Sequence, residues 1–66
     1  MKTLLINGRE EELEVTTLDE VIQHFQLKPE HVVAEVDGQI VDRSEWANYE
    51  LNTGMKLELV HFVGGG

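Results

Sequence analysis

The stretch Leu4-Leu5-Ile6-Asn7-Gly8-Arg9-Glu10-Glu11-Glu12-Leu13-Glu14-Val15-Thr16-Thr17-Leu18-Asp19-Glu20 decides the fold. Asn7-Gly8 is the strongest two-residue hairpin signal, because a type I′ turn needs positive φ at both central positions. That turn sets the register: Ile6 faces Arg9, Leu4 faces Glu11 and Lys2 faces Leu13. Leu4, Ile6, Leu13 and Val15 then share the face to be buried, and Leu5 points the other way. Thr17 reads as a helix N-cap, with Glu20 completing a capping box. Asp19 and Glu20 also suit the positive end of the helix dipole. Leu18, Val21, Ile22 and Phe25 follow with i, i+3, i+4, i+7 spacing, a single apolar stripe assigned to the core. Lys28-Pro29 is expected to end the helix.

Outward from this stretch, residues 31–36 read as a strand closed by Asp37-Gly38, a second hairpin signal, with Gln39-Ile40-Val41 as the short return strand. Residues 42–47 read as a turn or a single helical turn capped by Ser44. Trp46 and Tyr49 are expected half-buried with wet polar tips, and residues 51–54 form a loop. From Met55 the chain alternates, with Met55, Leu57 and Leu59 on one face and Lys56, Glu58 and Val60 on the other. Phe62 continues the Val60 face. The order ββαβββ predicts an α+β two-layer roll, with one helix covering one face of a mixed sheet of about five strands. The last strand fits parallel beside the first, leaving a tail that projects from the sheet edge. Residues 1–63 form the domain, and residues 64–66 a flexible glycine tail.

Composition excludes several classes of function. A chain of 66 residues buries only about 60% of its unfolded surface, too little for a core and a deep substrate pocket together. A stand-alone enzyme is therefore not expected. Cysteine is absent, so there is no disulfide, thiolate metal site or cysteine nucleophile, which suits a reducing, cytoplasmic setting. No apolar run approaches the roughly 20 residues that span a bilayer, and Met1-Lys2 leads straight into strand-like sequence with no signal peptide visible. The net charge of -8 argues against nucleic acid and anionic membranes. It favours solubility and steering toward a basic protein partner. No phosphate-cradling glycine motif occurs. Ser44 is the only serine and has no histidine near it in sequence. His24, His31 and His61 lie far apart without ligand spacing and read as ordinary surface or half-buried histidines, so no metal site is expected. Glu10-Glu11-Glu12 reads as edge charge that discourages aggregation.

What remains is the ending Val60-His61-Phe62-Val63-Gly64-Gly65-Gly66. Glycine orders at high entropic cost, and three of them add nothing to a core. They offer a thin thread ending in a carboxylate, able to enter a pocket that any side chain would block. A frayed terminus has the same composition. Five extended residues reach roughly 17 Å, about the depth of an enzyme cleft. An α-carboxylate is ionised and unreactive at neutral pH. It becomes reactive when a partner converts it to an acyl-adenylate, after which the glycine can accept a sulfur, an amine or a thiol. The chemistry of the chain is thereby assigned to Gly66. The strand registers place Leu5, Val60 and Phe62 on the face away from the helix, an exposed apolar cluster suited to partner docking. Val33 joins them if its strand has the matching parity.

The short length, the early Asn7-Gly8 hairpin and this ending together resemble the ubiquitin-like sulfur carriers. Among these the chain looks most like the ThiS type of thiamine biosynthesis. Three glycines stand where many such carriers have two. The resemblance covers the whole chain and implies a ubiquitin-like β-grasp fold. It further implies that a ThiF-type adenylyltransferase adenylates Gly66 with ATP and magnesium, the chain itself binding no cofactor. A sulfur relay, often fed by a cysteine desulfurase, would then replace AMP and leave a thiocarboxylate. This would supply sulfur to a ThiG-type thiazole synthase during assembly of the thiazole ring. Val63, Gly64 and Gly65 would thread into the partner, and the chain would be a co-substrate, not an enzyme. The alternatives are a molybdopterin-type sulfur carrier, a non-covalent ubiquitin-like interaction module, and a protein modifier joined through Gly66 to lysines.

Overall fold

A computed structural model of the chain describes residues 1–62. The boundary expected at residue 63 and the assignments to Val63, Gly64, Gly65 and Gly66 lie outside the described residues. Five strands, β1 (Lys2–Ile6), β2 (Arg9–Leu13), β3 (Val32–Val36), β4 (Gln39–Val41) and β5 (Lys56–His61), form one sheet with the order β2-β1-β5-β3-β4. The pair β1–β5 is parallel and the other pairs are antiparallel. Helix α1 (Leu18–His24) covers one face, and short 3₁₀ turns occupy Pro29–His31 and Arg43–Asn48. This is the expected α+β, ubiquitin-like β-grasp arrangement.

The local signals act as their chemistry requires. Asn7 and Gly8 have φ of 51° and 80°, the type I′ pattern, and they impose the register Lys2↔Leu13, Leu4↔Glu11, Ile6↔Arg9. Asp37 and Gly38 repeat the device with φ of 50° and 87°. At the start of α1, Glu20 Oε1 accepts from the backbone N–H of Thr16 at 2.6 Å and of Thr17 at 3.4 Å, while the Thr17 hydroxyl donates to Asp19. In the first turn itself, Leu18 N–H bonds Tyr49 O at 3.0 Å and Glu20 N–H bonds Thr17 O at 3.1 Å. Leu4, Leu18, Val21, Ile22, Leu51 and Leu57 are the largest fully buried side chains, joining the helix stripe to the inward face of β1 and β5.

Several expectations are corrected. The helix stops before Lys28-Pro29, because Gln26 adopts φ of 57°. Gln26 N–H then bonds Gln23 O at 2.9 Å and Leu27 N–H bonds Ile22 O at 3.1 Å, a Schellman closure. Phe25 consequently becomes the C-cap, leaves the stripe at 36% exposure and packs edge-on against His24, while Leu27 packs on the core in its stead. His31 belongs to a 3₁₀ turn, so β3 starts at Val32. The second 3₁₀ turn is capped by Asp42, not Ser44: the Asp42 carboxylate accepts from Ser44 N–H at 3.1 Å. Trp46 is fully in the core at 3% exposure, because Val41 O accepts its indole N–H at 3.0 Å and leaves no polar tip to hydrate. Leu51, assigned to a loop, is also core, drawn in by its N–H bond to Thr16 O at 2.9 Å. Finally, β5 is the central strand, so the chain leaves the middle of the sheet and not its edge.

Candidate functional site

The site begins where β5 ends. On one side β5 pairs with β3 through five register positions, from Val36↔Leu57 to Val32↔His61. Phe62 N–H then bonds His31 O at 2.8 Å. On the other side β1 runs parallel, with Leu5↔Lys56 and Ile6↔Leu57. Asn7 N–H bonds Leu57 O at 2.9 Å, and its side-chain amide continues along the strand to Leu59. β5 is therefore held on both flanks as far as Leu59, and on the β3 side from there to Phe62.

The open face of the sheet carries the docking candidates. Leu5, Val60 and Phe62 are exposed at 37%, 48% and 54%, as the alternation of β1 and β5 requires. Val33 has the matching parity: it is half-buried and lies directly opposite Val60. Val33, Val60 and Phe62 thus gather at the end of β5. Leu5 does not join them, because its partner is Lys56, four positions before Val60 along β5, a separation of roughly 13 Å at strand rise. Glu58 intervenes, directly opposite Glu35, which in turn faces Ile40. Ile40 is 71% exposed and was missed as a surface candidate. The Asp37-Gly38 hairpin register, which pairs it with Glu35, was the signal that could have found it.

The remaining polar groups form no reactive constellation among the described residues. The Ser44 hydroxyl and N–H hold the Asp42 carboxyl below its ordinary range, with Arg43 adding a smaller pull in the same direction. This carboxylate is committed to a cap, in an open groove of about 630 Å³ lined by Pro29, Val33, Ile40, Arg43 and Trp46. The fold brings His31 and His61, distant in sequence, to a ring separation of 6.3 Å. No group of three or more metal-ligating side chains assembles among the described residues. No helix there is long and apolar enough to cross a membrane.

Comparison with known proteins agrees with this geometry. The sequence model of the ThiS family matches residues 4–66. The chain is 29% identical over 65 residues to the sulfur carrier protein ThiS of Bacillus subtilis, covering 96% of this chain and 98% of the relative. It is 34% identical over 64 residues to a thiazole synthase of Paramagnetospirillum magneticum, again over 96% of this chain, but it spans only 20% of that protein's length. The crystal structure of the thiamine biosynthesis protein ThiS from Geobacter metallireducens superposes with a TM-score of 0.81 at 22% identity, over 97% of this chain and 99% of the other. The solution structure from the same organism gives 0.79 at 22% identity, over 97% of this chain and 87% of that one. At that identity the two structures speak for the fold. The family match extends through nearly the whole sequence, glycine tail included, and the chain belongs to the ThiS family.

Proposed function

We propose that the chain is a sulfur carrier for thiazole formation in thiamine biosynthesis, working in the cytoplasm as a co-substrate of partner enzymes. The observation that carries this reading is the ThiS family match across residues 4–66, which includes the glycine tail. The position of β5 supports it: the strand leading to the tail is central, with β1 on one side and β3 on the other.

In this reading a Gly66 carboxylate oxygen attacks the α-phosphorus of ATP on a ThiF-type enzyme, with magnesium held there and pyrophosphate leaving. Sulfide, released by a thiol reductant from the persulfide that a cysteine desulfurase forms, then attacks the acyl carbon. A C–S bond forms as the C–O bond to AMP breaks. The resulting thiocarboxylate is nucleophilic in the manner of a thiolate. The thiazole synthase relative supports a ThiG-type acceptor. Val63, Gly64 and Gly65 thread into the partner, while Val60 and Phe62, with Val33, dock on its surface; Leu5 makes a separate contact. The net charge of -8 contributes steering more than affinity.

The test is the intact mass of the chain after incubation with ATP, magnesium and a ThiF-type enzyme, then with a sulfide source. Addition of AMP followed by exchange of one oxygen for sulfur at Gly66 is expected. A mass unchanged throughout overturns the reading.

A further inference from the structure

The turn that opens the first hairpin also reaches the strand that ends the domain. Asn7 sits at φ of 51°, a left-handed conformation that asparagine tolerates better than most residues. From there its side chain makes two bonds to one residue of β5. Leu59 N–H donates to Asn7 Oδ1 at 2.8 Å, and Asn7 Nδ2 donates to Leu59 O at 3.1 Å. The parallel β1–β5 ladder has no strand left to supply these bonds, since β1 ends at Ile6 and the chain turns away at Asn7-Gly8. The amide group stands in for the missing backbone.

Both halves of the amide are needed. Leu59 is buried, and its backbone groups on this side face a groove of about 340 Å³ bordered by Arg9, Phe25 and His61. Loss of the amide leaves a part-buried donor and acceptor to water in the groove, which does not fix the strand end as a side chain does. Aspartate can accept from Leu59 N–H, but when ionised it has no donor for Leu59 O. Glycine keeps the turn and supplies neither group.

Leu59 lies three residues before Phe62, and Asn7 holds it on the flank opposite β3. We propose that Asn7 is a positioning residue for the carrier reaction: it locks the end of β5 so that Val60 and Phe62 are presented together to the adenylating partner. This rests on the sulfur-carrier reading above.

The experiment compares Asn7→Gly and Asn7→Asp with Leu13→Ala, a core variant on β2 that makes no bond to β5. All are assayed below their unfolding transitions. Amide exchange by NMR should show Leu59 N–H exchanging about tenfold or more faster, relative to Ala34 N–H, in both Asn7 variants and not in Leu13→Ala. Adenylation kinetics with a ThiF-type enzyme, ATP and magnesium should show KM for the carrier raised about fivefold, with kcat within about twofold, in the Asn7 variants alone. Unchanged relative exchange overturns the clamp. Unchanged KM, or an equal rise in Leu13→Ala, overturns its role in presentation. A wild-type chain that takes no adenylate overturns the sulfur-carrier reading instead, and the exchange data then decide by themselves whether Asn7 holds β5.

Discussion

Val33 and Val60 face each other across β3 and β5 on the side of the sheet that the helix leaves open. Phe62 lies just beyond them, exposed at 54%. Val33 is distant in sequence from Val60 and Phe62, so the patch exists only in the folded sheet. Replacing Phe62 by Ala should change stability by less than about 0.5 kcal/mol, as for other surface sites. It should weaken affinity for a ThiF-type partner by at least about tenfold if it is an interface anchor. Calorimetric titration of the two purified proteins measures this, and equal affinities would remove the patch from the docking surface. Leu5→Ala, separated from the patch by Glu58, should weaken binding less.

The tail should be separable from the fold. A chain lacking Gly65 and Gly66 should give the wild-type circular dichroism spectrum and melting temperature, because no residue of the described core lies past Leu59. It should accept no AMP. A chain extended by one residue after Gly66 should behave alike. Radiolabelled AMP transfer to either variant would show that the Gly66 carboxyl is not the acceptor.

Trp46 joins the second 3₁₀ turn to the core. A Trp46→Phe variant keeps most of the apolar volume but leaves Val41 O without its indole donor. The expected loss is about 1–3 kcal/mol, the cost of leaving a buried polar group unmet. Urea unfolding should show the midpoint falling with little change in slope. A loss near zero would mean that water reaches Val41 O.

Asp42 gives a pH-dependent contribution whose sign follows from its environment. The two bonds from Ser44 favour the ionised carboxyl, so its folded-state value lies below the unfolded one. The stabilisation is therefore present above the ordinary aspartate value of about 3.9 and is lost as pH falls through the lowered folded value. Asp42→Ala should be less stable than wild type at neutral pH, and the gap should close in strong acid. A gap independent of pH would assign the effect to the backbone of the turn.

The hairpin register and the helix start were legible because they rest on local chemistry. Asn7-Gly8 admits one turn type, and Glu20 reaches back to the Thr16 and Thr17 N–H groups at the helix start within a few residues. The misreadings share a different cause. Phe25 kept the helix period, but the competing choice at Gln26 ended the helix first. Trp46 and Leu51 sit in segments without periodicity, and only tertiary hydrogen bonds, to Val41 and Thr16, show that they are buried. The faces of Leu5, Val60 and Phe62 followed from alternation. The distance between Leu5 and Val60 did not, because it depends on the β1–β5 register, which no turn sets. The proximity of His31 and His61 is likewise a product of sheet order.

Because β5 lies between β1 and β3, the two hairpins never touch as strands; each meets the other only through it. The Asn7–Leu59 bonds alone close a loop of 52 residues. A nascent chain on the ribosome that has not yet delivered β5 holds two hairpins with no strand to join them into one sheet. Assembly of the sheet thus waits for the segment made just before the tail. Contacts of such long sequence separation also slow folding relative to a helical domain of equal size. A partner that recognises the folded sheet therefore meets only chains whose synthesis has reached at least the threshold of the glycines.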